Sequence, residues 1–391
     1  MEDYAAVTTE GRILMGAGPS DVHPRVLRAM GMPIIGHLDP ELFEIVNHTK
    51  DLLAQTFETA NDFTIPIAGT GTAAMEAALI NFIEPGDKVL ICVSGLFGER
   101  MVDIAQRCGG DLEVLEAEWG KIIEPSDVER ALSKRPAKVV AIVHAETSTG
   151  VLQPIKPIAN IAHKHGAILV VDAVTSLAGA PVRVDETGID VCFSAAQKCL
   201  SCPPGLAPIT VGARAMEILE ARKTKLHSLY LDLKALHDRW GHHRFYHHTA
   251  PVNMLYGLCE GLKILHDEGL EASFRRHELG GKALRSGLEA MGLSLFAQEA
   301  YRSPMITTVW IPDGVDDVRV RKHLMDNYRL EISPGLGSFK GKIWRVGLMG
   351  RSCARENVML FLAALEEALI AEGFSPEQGA GIAGAREVYA R

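Results

Sequence analysis

Ala167-Ile168-Leu169-Val170-Val171-Asp172, followed by the stretch that runs through Ser194-Ala195-Ala196-Gln197-Lys198 to Gly205, decides how this chain is read. The first run is an apolar, largely β-branched strand closed by a carboxylate. The second reads as another buried strand, running into an amine. A carboxylate and an amine delivered at the ends of two buried strands can grip opposite sides of one aromatic ring.

Outward from that stretch, helical periodicity alternates with short β-rich runs. From about residue 60 the pattern predicts a helix over 70–82, a strand over 88–93, a helix over 99–107 and a strand over 112–116. It continues with a helix over 125–133, a strand over 139–144, a helix over 155–164 and a strand over 167–171. Regular β-α alternation implies an α/β fold with a mostly parallel sheet covered by helices on both faces. Ligands of such sheets gather beyond the carboxyl ends of the strands, where His144, Asp172 and Gln197-Lys198 all fall. After Gly205 the pattern loosens into two further strands, a basic helix and an aromatic- and histidine-rich stretch over 240–251. A helical span over 253–291 breaks near Gly269 and leads to a small α+β unit whose clearest strands are 307–311 and 343–347. The Gly- and Ala-rich tail from Ser375 to Arg391 is expected to pack loosely. The domain division is an N-terminal arm over 1–20, a large domain over 21–265 and a small domain over 266–391.

The paired carboxylate and amine suit pyridoxal 5'-phosphate. That cofactor forms an imine with a lysine and needs its pyridine nitrogen kept protonated. Lys198 supplies the amine and Asp172 the counter-charge. A carboxylate about 4 Å from the ring nitrogen favours its charged form by roughly 4 kcal/mol at an effective dielectric near 20, or about three pKa units. Taken singly, each residue has a plainer reading: an aspartate after such a strand also caps turns or serves nucleotide hydrolases, and most lysines are solvated. The chain has no phosphate loop with a lysine, and the pairing carries the weight.

Other segments fit the same ligand. Ala68-Gly69-Thr70-Gly71-Thr72 precedes a helix and offers backbone N–H groups and hydroxyls to a phosphate, though the same turn is an ordinary helix cap. Phe97, between Gly95 and Gly98, can stack on a ring or belong to the core. The run from His144 to Gly150 ends a strand with hydroxyls placed for ring substituents, as turns also do. Arg345, with apolar neighbours on both sides, either binds a substrate carboxylate or points to solvent. The histidines around 242–248 invite a metal, but adjacent pairs alternate sides and no acid or thiol cluster completes a site, so none is expected. Tyr246 and Thr249 read better as donors to an anion.

Composition is that of an ordinary globular protein: 391 residues, 47% hydrophobic and 23% charged, which argues against disorder and predicts roughly two domains. A net charge of −9 argues against nucleic acid as partner. No run approaches the roughly 20 apolar residues of a membrane span. The beginning lacks the basic and apolar regions of a secretory signal, and the end is not a peroxisomal address. Seven cysteines follow neither a disulfide framework nor a zinc pattern, so a cytoplasmic location is expected. Cys199, beside Lys198, reads first as a small buried hydrophobe.

In order along the chain stand His-Ala-Glu-Thr-Ser-Thr-Gly-Val-Leu-Gln-Pro (144–154), Val-Val-Asp-Ala-Val-Thr-Ser-Leu (170–177), Ser-Ala-Ala-Gln-Lys (194–198), Pro-Pro-Gly (203–205), Tyr-His-His-Thr-Ala-Pro (246–251) and Trp-Arg-Val-Gly-Leu-Met-Gly (344–350). Together they resemble the class V aminotransferases of the fold type I pyridoxal-phosphate enzymes, and more closely the alanine–glyoxylate and serine–glyoxylate branch, from about Gly16 to residue 370. The resemblance implies a large domain built on a seven-stranded sheet, and Lys198 as imine former and proton carrier. It implies Asp172 at the pyridine nitrogen, Phe97, Ser148 and Val174 against the ring, and Thr70, Gly71, Thr72 and Gln197 at the phosphate. Tyr246 and Thr249 would reach in from the other subunit of a homodimer, and Arg345, with Gly18, would bind substrate. It implies transfer of an amino group from alanine or serine to glyoxylate, giving glycine and pyruvate or hydroxypyruvate. The 246–249 motif and the segment 224–232 look more like the alanine branch, the Gly-rich tail like the serine branch. The alternatives are a ureido-, phosphonate- or pyridoxamine-like donor and, further off, cysteine desulfurase, which would want a histidine before the lysine and a mobile nucleophilic cysteine.

Overall fold

The computed structural model describes residues 11–241 and 246–391. The strands are β1 (Ile13–Leu14), β2 (Phe63–Ala68), β3 (Lys88–Val93), β4 (Asp111–Glu116), β5 (Val139–Val143), β6 (Ala145–Glu146), β7 (Val151–Leu152), β8 (Ile168–Asp172), β9 (Val191–Phe193), β10 (Leu206–Val211), β11 (Ile306–Trp310), β12 (Leu330–Glu331), β13 (Ser333–Pro334) and β14 (Ile343–Gly347). The helices are α1 (Pro24–Met30), α2 (Pro40–Phe57), α3 (Gly71–Ile80), α4 (Leu96–Arg107), α5 (Pro125–Lys134), α6 (Lys156–Lys164), α7 (Val184–Thr187), α8 (Ala213–Glu220), α9 (Leu233–Trp240), α10 (Val252–Glu268), α11 (Leu270–Ala290), α12 (Asp317–Tyr328), α13 (Arg355–Ala371) and α14 (Ala380–Ala390).

Seven strands form the central sheet in the order β2-β10-β9-β8-β5-β3-β4, with β10 antiparallel to both neighbours and the rest parallel. The apolar runs explain the order of burial. β5, β8 and β9 are buried along their whole length, whereas the edge strand β4 alternates between exposed and half-buried positions. Burying the four apolar side chains of β8 is favourable by roughly 6 to 12 kcal/mol as an upper bound. The register sets Val143, Asp172 and Phe193 side by side, so the carboxyl ends of β5, β8 and β9 finish in one row.

A second hydrophobic core gathers Leu284, Leu288, Trp344, Val346, Phe361 and Leu365 with Met15 from the chain's beginning. Its sheet is β11-β14-β13, antiparallel throughout. Residues 13–17 are laced to this unit: β1 pairs with β12, the Met15 carbonyl accepts from Gly347 N at 2.7 Å, and Ala17 N donates to Ser333 Oγ at 2.9 Å.

Three expectations change. The strand leading to Lys198 ends at Phe193, and Ser194 to Lys198 form a turn region. One strand, β10, follows Gly205 rather than two, because the region after it becomes α8 and irregular chain. The tail is not loose: α14 lies against α11, with Gly381 and Ala385 buried. Small residues let the two helices approach closely, and a Cβ at Gly287 would stand 2.7 Å from the Gly381 carbonyl.

Candidate active site

The row of strand ends opens onto a cavity of about 200 Å³ lined by Thr70, Gly71, Thr72, Met75, Phe97, Arg100, Val143, Ala145, Thr147, Asp172, Val174, Thr175, Gln197 and Lys198. Eight of the residues singled out from sequence therefore meet at one place: Thr70, Gly71, Thr72, Phe97, Asp172, Val174, Gln197 and Lys198.

Asp172 is the last residue of β8, and its Oδ1 accepts from Val174 N at 2.7 Å. Burial pushes its carboxyl up to about 7, against the Val174 hydrogen bond, and the nearby Glu146 carboxylate adds to the rise. A cation facing the free side of this carboxylate would restore its charge. Lys198 is buried, and its Nζ donates to the Ala17 carbonyl. Burial lowers its amine to about 8, with Arg345 pushing the same way and Cys199 and Asp172 opposing. The turn that carries it is clamped from the N-terminal segment: Ser20 Oγ donates to the Lys198 carbonyl at 2.6 Å and Ser20 N to the Gln197 carbonyl at 2.9 Å. Gly18 lies against the amine. It sits at φ +109°, and a Cβ there would stand 2.3 Å from Lys198 Nζ, so no larger residue fits while the lysine keeps this position.

At the other end of the cavity Thr70 caps α3 with no side-chain hydrogen bond into the helix; Ala73 N donates to the Thr70 carbonyl at 2.8 Å, which leaves the N–H groups of Gly71 and Thr72 for an anion. Gln197 Oε1 is buried without a partner. An open helix start with two threonines, a buried carboxylate raised toward neutrality and a buried lysine lowered from its ordinary value are what a phosphorylated pyridine aldehyde would complete. The residues fit pyridoxal phosphate.

Arg345, from the small unit, lies behind the cavity-lining Thr147. Strand alternation turns Trp344 and Val346 into the second core and Arg345 the opposite way. Its Nε donates to the Pro334 carbonyl at 2.8 Å and Nη1 to the Thr147 carbonyl at 3.3 Å. Among the described residues no carboxylate pairs with it, and burial lowers it to about 10 despite the favourable field of Glu146. The solvent-facing alternative does not hold, since Arg345 is 7% exposed.

Ser148 is placed differently. Its hydroxyl is behind the wall, donating to Glu146 Oε1 at 2.6 Å and accepting from Leu96 N at 3.0 Å, and the neighbouring Thr147 lines the cavity instead. Tyr246 and Thr249 are not in this cavity: Tyr246 is 63% exposed, with its hydroxyl 3.4 Å from Thr249 Oγ1. The histidines at 242 and 243, read for a metal, lie outside the described residues.

Sequence reasoning missed Glu146 and Arg100. Glu146 is buried beneath the site, accepting from Ser148 N at 3.1 Å and Phe97 N at 3.1 Å, so it ties the first turn of α4 to the β6–β7 hairpin. It sat within a quoted motif as an unremarked acid. Arg100 follows Phe97 by three residues, a spacing that puts both on one helix face.

The family model described as Aminotransferase class-V matches residues 15–351. The chain is 41% identical to the (S)-ureidoglycine–glyoxylate transaminase of Bacillus subtilis, over 100% of this chain and 98% of that one. The crystal structure of the ureidoglycine–glyoxylate aminotransferase of Bacillus subtilis superimposes with a TM-score of 0.97 at 42% identity, covering 99% and 100% of the two chains. The alanine–glyoxylate aminotransferase of Callithrix jacchus is 41% identical over 92% of this chain and 87% of its own. The alanine–glyoxylate aminotransferase structure from Nostoc sp. gives a TM-score of 0.92 at 43% identity over 94% and 97%.

Proposed function

Because the chain belongs to the class V aminotransferases, which work with pyridoxal phosphate, we propose that it moves an amino group from a small amino acid, alanine or serine, to glyoxylate. The observation that carries this reading is the buried Arg345, which has no acid partner among the described residues, donates to the carbonyl of the cavity-lining Thr147 and lies near enough for its charge to act on the Lys198 amine. A planar guanidinium in that setting suits the carboxylate shared by an amino acid and a 2-oxo acid. The small cavity must also hold the cofactor, which leaves room for a short side chain.

When bound, pyridoxal phosphate supplies an aldehyde carbon that amines can join and a pyridinium that takes up the electron pair released at the substrate Cα. The chain's own residues do the rest. Lys198, lowered to about 8, is neutral part of the time at neutral pH, so its Nζ can take a proton from the substrate Cα and return it. Asp172 holds a proton on the pyridine nitrogen, Gln197 and Thr70 to Thr72 anchor the phosphate, and Phe97 supports the ring. Arg345 orients the substrate so that its Cα hydrogen faces Lys198. Tyr246 and Thr249, exposed and outside their own cavity, would serve the cavity of a second copy in a homodimer. All seven cysteines are free, as a reducing cytoplasmic setting would keep them.

Cysteine desulfurase chemistry finds no support. Cys353 is buried and its thiol is pushed up to about 11, so it is a poor nucleophile at neutral pH. A ureidoglycine donor is the second reading, favoured by one observation: similarity to the ureidoglycine–glyoxylate enzyme extends through the whole chain, including α14. A half-reaction screen separates the two. Purified protein is mixed with alanine, serine, glycine, cysteine or (S)-ureidoglycine, and loss of the imine absorbance is followed. Conversion by alanine or serine, reversed by glyoxylate, is expected; conversion by ureidoglycine alone overturns the first reading in favour of the second.

A further inference from the structure

The phosphate seat of the cavity carries no charge of its own. Thr70, Gly71, Thr72 and Gln197 offer neutral donors only, while a phosphate monoester carries between one and two negative charges near neutral pH. Arg100 lines the same cavity, one helical turn beyond Phe97 on α4. Its Nη1 donates to Thr72 Oγ1 at 3.0 Å, and its guanidinium carbon lies 5.0 Å from the centroid of the Phe97 ring. The side chain is thus held between the seat and the aromatic platform. Glu76 and Asp103 border the outer groove that Arg100 also lines, yet neither pairs with it, and among the described residues no carboxylate oxygen lies within 4.0 Å of its nitrogens. The other two cations of the site are otherwise placed: Lys198 on the Ala17 carbonyl, Arg345 on the carbonyls of Pro334 and Thr147.

The hydrogen bond to Thr72 has a direction that matters. Arg100 can only donate, so Thr72 Oγ1 accepts, and the threonine's own proton stays available to an anion seated on α3. Donation from a guanidinium polarises that hydroxyl and makes it a better donor in turn. We propose that Arg100 is a phosphate ligand of the cofactor, supplying through its guanidinium and through Thr72 the positive charge that the seat lacks. This rests on the pyridoxal phosphate reading of the site and adds to it a residue that the sequence motifs leave out.

The test compares two ligands that differ only in the phosphate. Apo-protein is titrated with pyridoxal 5'-phosphate and with pyridoxal, and binding is followed by imine absorbance and tryptophan fluorescence. Arg100→Ala is expected to weaken pyridoxal phosphate about 10- to 100-fold, the loss of a hydrogen bond to a charged group, while pyridoxal changes by less than about twofold. Arg100→Lys, which keeps the charge and loses the fork, falls between Arg100→Ala and the native protein. It also carries the test if circular dichroism finds the alanine variant unfolded. Equal weakening of both ligands would show that Arg100 acts through Phe97 or the fold, and unchanged pyridoxal phosphate affinity would show that it does not touch the phosphate; either overturns the proposal. If the native protein itself binds pyridoxal as well as the phosphate ester, the phosphate seat at α3 is wrong, and the reading beneath the proposal falls with it.

Discussion

The rim of the seven-stranded sheet and the strand of the small unit that faces it bring charge to the same cavity by different means. At the rim, Asp172 and Lys198 are both pushed toward neutrality by burial, to about 7 and about 8, and each has an open side. Behind Thr147, Arg345 is also buried, yet at about 10 it stays charged at neutral pH, and two carbonyls fix its direction. On the proposed reading the rim would control protonation, and the strand opposite would control orientation. Changes at the rim should strike the chemical step, and changes at that strand should strike recognition.

Removing the amine is the severest break. Lys198→Ala should lower kcat by at least about 10⁴-fold and abolish the yellow colour of the purified protein, since a nucleophile and a proton carrier vanish together. A coloured, active variant would end the assignment of Lys198. Asp172→Asn should cost about 10³-fold in kcat, the equivalent of roughly three pKa units at the ring nitrogen, with a smaller change in KM.

The same substitution should act in the opposite direction on the apo-protein. The Asp172 carboxyl is raised from 3.8 to about 7, so between those values the folded chain keeps a proton that the unfolded chain has lost. Stability of the apo-protein therefore falls as pH rises from about 4 to 7, by at most about 4 kcal/mol for this group, and Asp172→Asn should melt higher than the native apo-protein at pH 8. His277, lowered from 6.5 to about 4 by burial, has the reverse sign: its contribution is complete above pH 6.5 and is lost as pH falls toward 4. Melting curves of the two apo-proteins from pH 4 to 8 check both statements.

At the strand opposite, Arg345→Gln should lower kcat/KM about 100-fold for amino acids, mostly through KM, while a simple amine without a carboxylate reacts at an unchanged, slow rate. Equal losses for both would move Arg345 from recognition to structure. The smallest effect is expected away from the cavity. Deleting residues 379–391 removes α14 from α11 and should lower the melting temperature by about 3–6 °C, with kcat unchanged.

The contrast also explains what could be read from residues alone. The rim is built from neighbouring β-α units, so apolar periodicity located β3, β5 and β8, and the strand-terminal Asp172 stood out. Arg345 was visible only as a charge in an apolar strand, because its partners Pro334 and Thr147 meet it through the fold and not through spacing. Ser148 and Thr147 are adjacent hydroxyls in a turn, and only the Glu146 carboxylate, which claims Ser148, decides which one faces the cavity. Arg100 carried no local mark, since an arginine on an amphipathic helix is ordinarily solvated. The tail misled through its composition: glycine lowers intrinsic helical order, but alanine favours a helix and the small size of both is what allows two helices to touch.

The strap formed by residues 13–20 has a consequence for biosynthesis. Its Ala17 carbonyl and Gly18 define the surroundings of the Lys198 amine, and its own footing is Ser333 and Gly347. During translation the strap emerges before the lysine, yet its footing emerges roughly 150 residues after the lysine, which at about 5–20 residues per second is a delay on the order of 10–30 s. Through that interval a growing chain can hold its sheet, its aspartate and its lysine, while the amine lacks its final neighbours. The reactive group acquires its working environment only when two segments more than 300 residues apart, Ala17 and Ser333, have been brought together.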